Sequence, residues 1–210
     1  MDSVDWEARA FHRIYVVLDI FSRYVVGWTL ADRECKDIAR QLPEQTIAKQ
    51  GADPKTLTIH ADNGSSMASK TVALLMADLG VTKSHSRPHT SNDDPYSEAQ
   101  FKTLKYRPDS PRSFDSLQQA RDFCREFFTW YNTEHYHSGI AWHTPYDLHH
   151  GHAAVVQADR AEVLTAAYQR NPERFVRKHP EPRPLPTAAW INKPTDPEPA
   201  PPNKIHTTNH

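Results

Sequence analysis

The sequence lacks several features that would place it in a common class of protein. Two cysteines, Cys35 and Cys124, are too few for a disulfide scaffold and fit a reducing compartment. No apolar run approaches the roughly 18 residues that a membrane-spanning helix needs, so no membrane partner is expected. The N-terminus is acidic and has no apolar signal segment, which predicts a cytoplasmic protein.

Neither sign of charge is in excess. The chain has 25 basic and 26 acidic residues, for a formal net charge of −1. This balance excludes a protein that coats DNA nonspecifically or binds membranes through a polybasic surface. Apolar residues make up 38% of the chain, and ten of its 17 prolines lie between Pro172 and Pro202. We therefore expect a Pro-rich tail outside the core.

The hydrophobic pattern predicts an α/β fold. β-branched and aromatic runs indicate strands, of which the first two form an antiparallel hairpin: 13–19, 24–30, 57–60 and 81–84. Helical periodicity indicates helices at 33–49, 69–79, 96–106, 116–136 and 153–168. Pro43 is expected to divide the first helix. This order predicts a mixed sheet flanked by helices.

Two acidic residues lie where such a fold places a site. Asp62 directly follows a predicted strand, so its side chain is expected at the rim of the sheet. Glu98 lies in the first turn of a predicted helix, and thirty-five residues separate the two acids. Lys105 is two helical turns after Glu98 and on the same face, where it can reach a nucleic-acid phosphate. Each acid taken alone is more typical of a turn or helix-cap residue than of a catalytic one.

Several longer segments carry a family resemblance in the right order. They are YVVLDIFSRYVVGW, HADNGSSMASKTVALLMADLG, SHSRPHTSNDDPYSEAQFKTLKY and FFTWYNTEHYHSGIAWHTP. From about Arg13 to Pro145 the chain resembles the catalytic core of bacterial OrfB-type insertion-sequence transposases, which are related to retroviral integrases and have a D,D(35)E signature. The resemblance implies a ribonuclease H-like fold and a carboxylate triad that binds two Mg²⁺ or Mn²⁺ ions. Two such metals can activate the attacking oxygen and stabilise the leaving oxygen of a phosphodiester.

The resemblance implies that Asp62 and Glu98 are two of three catalytic and metal-binding acids. Asp5 is the expected first acid, with Asp2 or an aspartate upstream of Met1 as the alternatives. The family's tryptophan before this acid and threonine after it have no counterpart here. Asp19 is a further alternative for this acid, but its place in the hairpin matches a non-catalytic position of the family.

The implied activity is DNA strand cleavage and strand transfer during transposition. The implied partners are transposon-end and target DNA, further copies of the chain on DNA, and a separate N-terminal helix-turn-helix protein, since the chain has no such region. The alternatives are an inactive truncated fragment that only binds DNA or a partner subunit, and a nuclease that cuts without joining. The residues expected to contact DNA are Arg87, Asn92, Tyr96, Lys102 and Lys105.

The expected organisation is a catalytic core over residues 1–150, a helical extension over 151–170 and the Pro-rich tail over 171–210. A nucleoid-associated location in a bacterial cytoplasm follows from the resemblance. Trp130 and Tyr131 are expected to pack in the core. His60 has either a structural role in its strand or a role in orienting DNA or a metal-bound water. Two interpretations are open for Asn132, His135 and His137, namely approach to the DNA or support of the site. Three further histidines are expected to be exposed loop residues, with nonspecific metal binding as the alternative: His149, His150 and His152.

Overall fold

The computed structural model describes residues 12–33, 35–61, 70–85 and 95–191. Its strands are β1 (Arg13–Leu18), β2 (Val25–Ala31), β3 (Thr58–Ala61) and β4 (Thr82–His85). Its helices are α1 (Lys36–Gln50), α2 (Lys70–Leu79), α3 (Pro95–Tyr106), α4 (Leu117–Thr133), α5 (Pro145–His149) and α6 (Ala153–Arg170). Each predicted strand and helix is found with ends within three residues of the expected ones, and α5 is an addition.

The described strands pair in both directions. β1 and β2 form an antiparallel hairpin in which Ile14 lies opposite Leu30 and Val16 opposite Trp28. β3 and β4 are parallel, with α2 as the crossover between them, and His60 lies opposite Ser84. Within the described residues these pairs are two separate two-stranded sheets. The expected mixture of parallel and antiparallel pairing is therefore present.

Helices cover both faces of the hairpin. Successive side chains of a strand point to opposite faces, so Ile14 and Tyr15 enter different cores. Ile14 packs with residues of α3 and α4, among them Leu104 and Phe127. Tyr15 packs with residues of α1 and α2, among them Met76. Ile59 of β3 is partly buried and joins the second core, so β1 supports β3 through one of its faces and α3 through the other.

Helix α1 continues through Pro43, so the expected division of this helix is wrong. A proline removes one hydrogen bond inside a helix, but Ala39 and Pro43 are buried in the fold, which holds the helix in one piece. The helix ends at Gly51, whose φ of 61° is left-handed and whose amide donates to the carbonyl of Ala48. Gly27 of β2 allows α1 to approach this strand closely, since a Cβ at Gly27 would collide with the Thr46 side chain of α1.

The chain continues beyond α6 along the surface of the core. A short turn at Pro172–Arg174 is followed by an extended segment. The Arg183 guanidinium donates to the carbonyl of Ser138 at 3.2 Å, and the Tyr96 hydroxyl donates to the carbonyl of Trp190 at 2.9 Å. The part of the expected tail that the structure describes is thus fixed to the core. None of the helices in the described ranges has the length and apolarity to cross a membrane.

Candidate active site

Glu98 is the one expected catalytic acid that lies within the described residues. It occupies the first turn of α3, which starts with Pro95 at a position where a missing amide donor costs nothing. Phe101 and Leu104 anchor the helix in the core beside α4. The Glu98 side chain is half-buried. The fold therefore holds this carboxylate on a rigid element near the surface.

The other expected acids, Asp62 and Asp5, and the alternative Asp2, lie outside the described residues. Asp62 directly follows β3 in the sequence, and the carboxyl ends of the parallel strands β3 and β4 lie at the same edge. The segment that follows β4 leads to α3 and Glu98. The chain order is consistent with the expected placement of acids after strands. The meeting of the three carboxylates stays a prediction.

His60 links β3 to its neighbour. Its Nδ1 lies 2.8 Å from the Ser84 hydroxyl, directly across the parallel pair. This contact supports the structural interpretation of His60, because it ties together the strand before Asp62 and the strand that leads to α3.

Of the expected DNA-contacting residues, Tyr96, Lys102 and Lys105 are described, and all three lie on α3 with Glu98. Both lysines are exposed. Arg87 and Asn92 lie outside the described residues. The three α3 residues thus share one helix with the acid, and their contact with DNA stays a prediction.

Arg23 lies beside the candidate site and was not singled out by the sequence analysis. It lies in the β1–β2 turn with a left-handed φ of 65°, and its guanidinium donates to the carbonyl of Ile20. The guanidinium also lies 3.8 Å from the centre of the Tyr96 ring, two residues before Glu98. A cation over an aromatic face is an attractive contact. The available signal was an arginine within the turn of the predicted hairpin.

The hairpin turn is organised by Asp19. Its carboxylate accepts hydrogen bonds from the Phe21 amide at 3.0 Å and the Ser22 hydroxyl at 2.5 Å. His149 Nδ1 lies 3.1 Å from the same carboxylate. Burial acts to raise the pKa of Asp19, but the hydrogen bonds from His149, Ser22 and Phe21 outweigh it and lower the pKa below 3.8. These contacts give Asp19 a structural role in the turn, and its assignment to a non-catalytic position stays a prediction.

His149 joins three elements and is not the exposed loop residue that was expected. Its ring stacks on Tyr24 at 4.4 Å, and its Nε2 lies 3.2 Å from Gln50 Oε1 at the end of α1. His150 and His152 are exposed and lie around the Tyr146 ring. Within the described ranges, the histidine, cysteine and acidic residues form no group of three or more that could hold a metal.

Asn132 supports the fold. It is buried in α4, and its Oδ1 accepts a hydrogen bond from the Val25 amide at 2.9 Å. Its Nδ2 donates to the carbonyl of Val25 at 3.1 Å. The side chain therefore satisfies both backbone groups of one residue at the start of β2, as a neighbouring strand would.

His135 and His137 lie beside aromatic rings at the end of α4. The His135 ring is 4.8 Å from that of Trp130, and the Arg107 guanidinium is 4.2 Å from the Trp130 ring. Burial, with Arg107 nearby, lowers the pKa of His135. Burial, with His135 and Arg23 nearby, lowers the pKa of His137 to about 3. His137 is therefore neutral at pH 7 in this structure.

Helix α5 begins at a cap within the sequence HTP. The Thr144 hydroxyl accepts from the Asp147 amide at 3.2 Å, and the Asp147 carboxylate accepts from the Thr144 amide at 3.4 Å. Pro145 occupies the first helical position. This reciprocal capping explains why a five-residue helix forms at this point and positions His149.

Comparisons of sequence and of structure with known proteins indicate the same family. A transposase for insertion sequence element IS904 of Lactococcus lactis subsp. lactis (strain IL1403) is 30% identical over 134 residues, which cover 63% of this chain and 53% of the relative. A chain in the cryoEM structure of the simian T-cell lymphotropic virus intasome in complex with PP2A regulatory subunit B56 gamma has a TM-score of 0.55 and 22% identity. That match covers 70% of this chain and 51% of the other.

The chain thus spans about half the length of each of these relatives. The structural likeness confirms the expected ribonuclease H-like fold. Two sequence models described as the integrase core domain match residues 2–91 and 79–145. Because the two matches together span most of the chain, it belongs to the integrase core domain family and carries the catalytic core that insertion-sequence transposases share with integrases.

Proposed function

We propose that this chain cleaves DNA strands at transposon ends and joins them to target DNA, using divalent metal ions. Family membership supports a role in DNA transposition or integration. The observation that carries the finer proposal is the place of Glu98, half-buried in the first turn of an anchored helix. Thirty-five residues separate it from Asp62, an acid that directly follows a parallel strand.

The residues proposed to hold the metal are Asp5, Asp62 and Glu98. Carboxylate oxygens are hard ligands of the kind that Mg²⁺ and Mn²⁺ prefer, so this donor set fits the ions. When bound, two such ions activate an attacking oxygen and stabilise a leaving one. The chain itself orients Glu98 through α3, and Lys102 and Lys105 on the same helix attract the phosphate backbone.

Further copies of this chain are the proposed partners on DNA. The simian virus relative is a component of an intasome, an assembly on DNA. Joining two transposon ends to one target needs more than one active site near each other, which a second copy supplies. We place this activity in a bacterial cytoplasm, at the nucleoid.

The test is metal-dependent nicking and joining of supercoiled plasmid DNA by the purified chain, with Mg²⁺, Mn²⁺ or EDTA. Glu98→Gln keeps the size of the side chain and removes its charge, so we expect nicking and joining to fall at least 100-fold. Glu126→Gln is the matched control, because Glu126 is an exposed glutamate on α4, and it should keep wild-type activity.

Three results would contradict the proposal. Activity that persists in Glu98→Gln or in EDTA would show that this acid and its metals are not the catalytic centre. Plasmid binding without nicking in the wild-type chain would instead support the inactive fragment. Nicking without joined products would indicate a nuclease of the same fold.

A further inference from the structure

The extended segment after α6 is attached to the core beside α3. We name residues 183–190 the strap. At one end, the Gln157 amide donates to the carbonyl of Arg183 at 2.8 Å, and the Arg183 guanidinium donates to the carbonyl of Ser138 at 3.2 Å. At the other end, the Tyr96 hydroxyl donates to the carbonyl of Trp190 at 2.9 Å. The strap is therefore held at both ends.

A cleft of about 250 Å³ lies between the strap and the core. Three aromatic residues line it, namely Phe21, Tyr96 and Trp190, together with Arg23. This volume is below the roughly 300–1,000 Å³ of pockets for drug-sized ligands. It suits one planar ring with its attached sugar. No acidic residue is among the described residues that line the cleft, so its only charge is that of the Arg23 guanidinium.

The cleft combines two recognition elements for a nucleotide. Aromatic side chains stack on nucleobases of any sequence, because every base has a π face. The Arg23 guanidinium is held in place by the Tyr96 ring and the carbonyl of Ile20, and it has further donors for a phosphate. A paired base within a duplex cannot reach such a cleft, since its faces are covered by its neighbours.

The cleft also lies next to the proposed catalytic helix. Tyr96 lines it and is two residues before Glu98 in the first turn of α3. Residues two positions apart in a helix point to different sides of it, and Tyr96 and Glu98 are about 3 Å apart along the axis of α3. A DNA strand held at Glu98 therefore reaches the cleft by extending around the first turn of α3. The nucleotide that enters would be one that has left the duplex at the DNA end.

We propose that this cleft binds one unpaired nucleotide of the DNA substrate, with its base stacked at Trp190 and its phosphate at Arg23. The proposal rests on the proposed function, because it assigns a further site for the same DNA. It also gives the strap a role: the C-terminal segment supplies one wall of a substrate site that the catalytic core alone leaves open.

The experiment measures binding of the full chain to a short duplex that carries one unpaired 2-aminopurine at its end, compared with the same duplex fully paired. Anisotropy of a dye at the far end gives the affinity, and quenching of 2-aminopurine reports stacking. We expect the wild type to prefer the unpaired end. Trp190→Ala should weaken binding to that end by roughly 5-fold to 100-fold and abolish the quenching, and should leave paired-end binding unchanged.

The chain offers a matched control. Trp190 and Trp142 are both 54% exposed, but Trp142 does not line the cleft. Trp142→Ala should therefore keep the preference for the unpaired end. Trp190→Phe retains an aromatic face and should restore most of the quenching.

Three outcomes would overturn the proposal. The first is equal wild-type affinity for paired and unpaired ends. The second is an equal effect of Trp190→Ala and Trp142→Ala. The third is quenching that persists in Trp190→Ala. If the chain nicks and joins plasmid DNA but shows any of these, the cleft proposal alone fails. If it binds no DNA at all, the proposed function fails as well.

Discussion

Asn132 offers the sharpest test of how the fold is held together. Replacing it with alanine removes both hydrogen bonds to Val25 and leaves a backbone amide and carbonyl of β2 without their partner. A hydrogen bond contributes a net of about 1 kcal/mol, and a buried polar group left unpaired costs about 1–3 kcal/mol. Asn132 also borders a groove between α1 and α4, through which water can reach part of the gap. We therefore expect a loss of about 2–4 kcal/mol in the free energy of unfolding.

Urea unfolding followed by tryptophan fluorescence at neutral pH measures this loss. The midpoint should fall with little change in slope, since the surface exposed on unfolding stays the same. Thr133→Ala is the control, because Thr133 is the exposed neighbour and its hydroxyl donates only to the carbonyl of Thr129 within the helix. It should stay within about 0.5 kcal/mol of the wild type. Asn132→Asp keeps the acceptor for the Val25 amide but buries a carboxylate against the Val25 carbonyl, so at neutral pH it should lose at least as much stability as Asn132→Ala.

A loss below about 0.5 kcal/mol in Asn132→Ala would refute the reasoning. So would a loss equal to that of Thr133→Ala. In either case the two hydrogen bonds to Val25 would not stabilise β2, and the alternative role of Asn132 at the DNA would gain support.

Two further substitutions test the turn between β1 and β2 and the N-terminal cap of α5. Asp19→Asn should lower the free energy of unfolding by about 1–2 kcal/mol at pH 7, because the charged acceptor is lost. Since folding lowers the pKa of Asp19 below 3.8, this stability is present above pH 3.8 and is lost as the pH falls through the folded-state pKa. Urea midpoints of wild type and variant should converge at acid pH, and a constant gap would contradict this. Thr144→Ala should destabilise the chain by about 1 kcal/mol through loss of the α5 cap, and Thr144→Ser by less. Melting of both Thr144 variants at the wild-type temperature would show that the hydroxyl is not needed.

Elements with strong local patterns could be predicted from the sequence. The apolar face of α4 recurs at helical spacing, and β1 is an unbroken run of β-branched and aromatic residues, so both were found close to their true ends. The Pro43 prediction failed because packing of α1 outweighs the local preference against proline. Helix α5 was missed because five residues show no period, and its cap decides its formation.

The sequence could not predict the features that depend on contacts between residues far apart in the chain. Asn132 stood in a recognised motif, but its role depends on Val25, 107 positions away. The interpretation of Arg23 depends on its contact with Tyr96, which lies on α3. The strap shows no periodicity and is fixed through side chains of α3 and α6 and a carbonyl of the 138–140 turn. Such contacts leave no spacing signal in the chain.

The alternation at Ile14 and Tyr15 has a consequence for catalysis. These neighbours on β1 belong to two different cores, one beneath α3 and one beneath β3. A slip of β1 by a single residue would exchange their faces and shift both supports at once. The positions of α3, which carries Glu98, and of β3, which precedes Asp62 in the sequence, therefore both depend on one six-residue strand that contributes none of the proposed metal ligands.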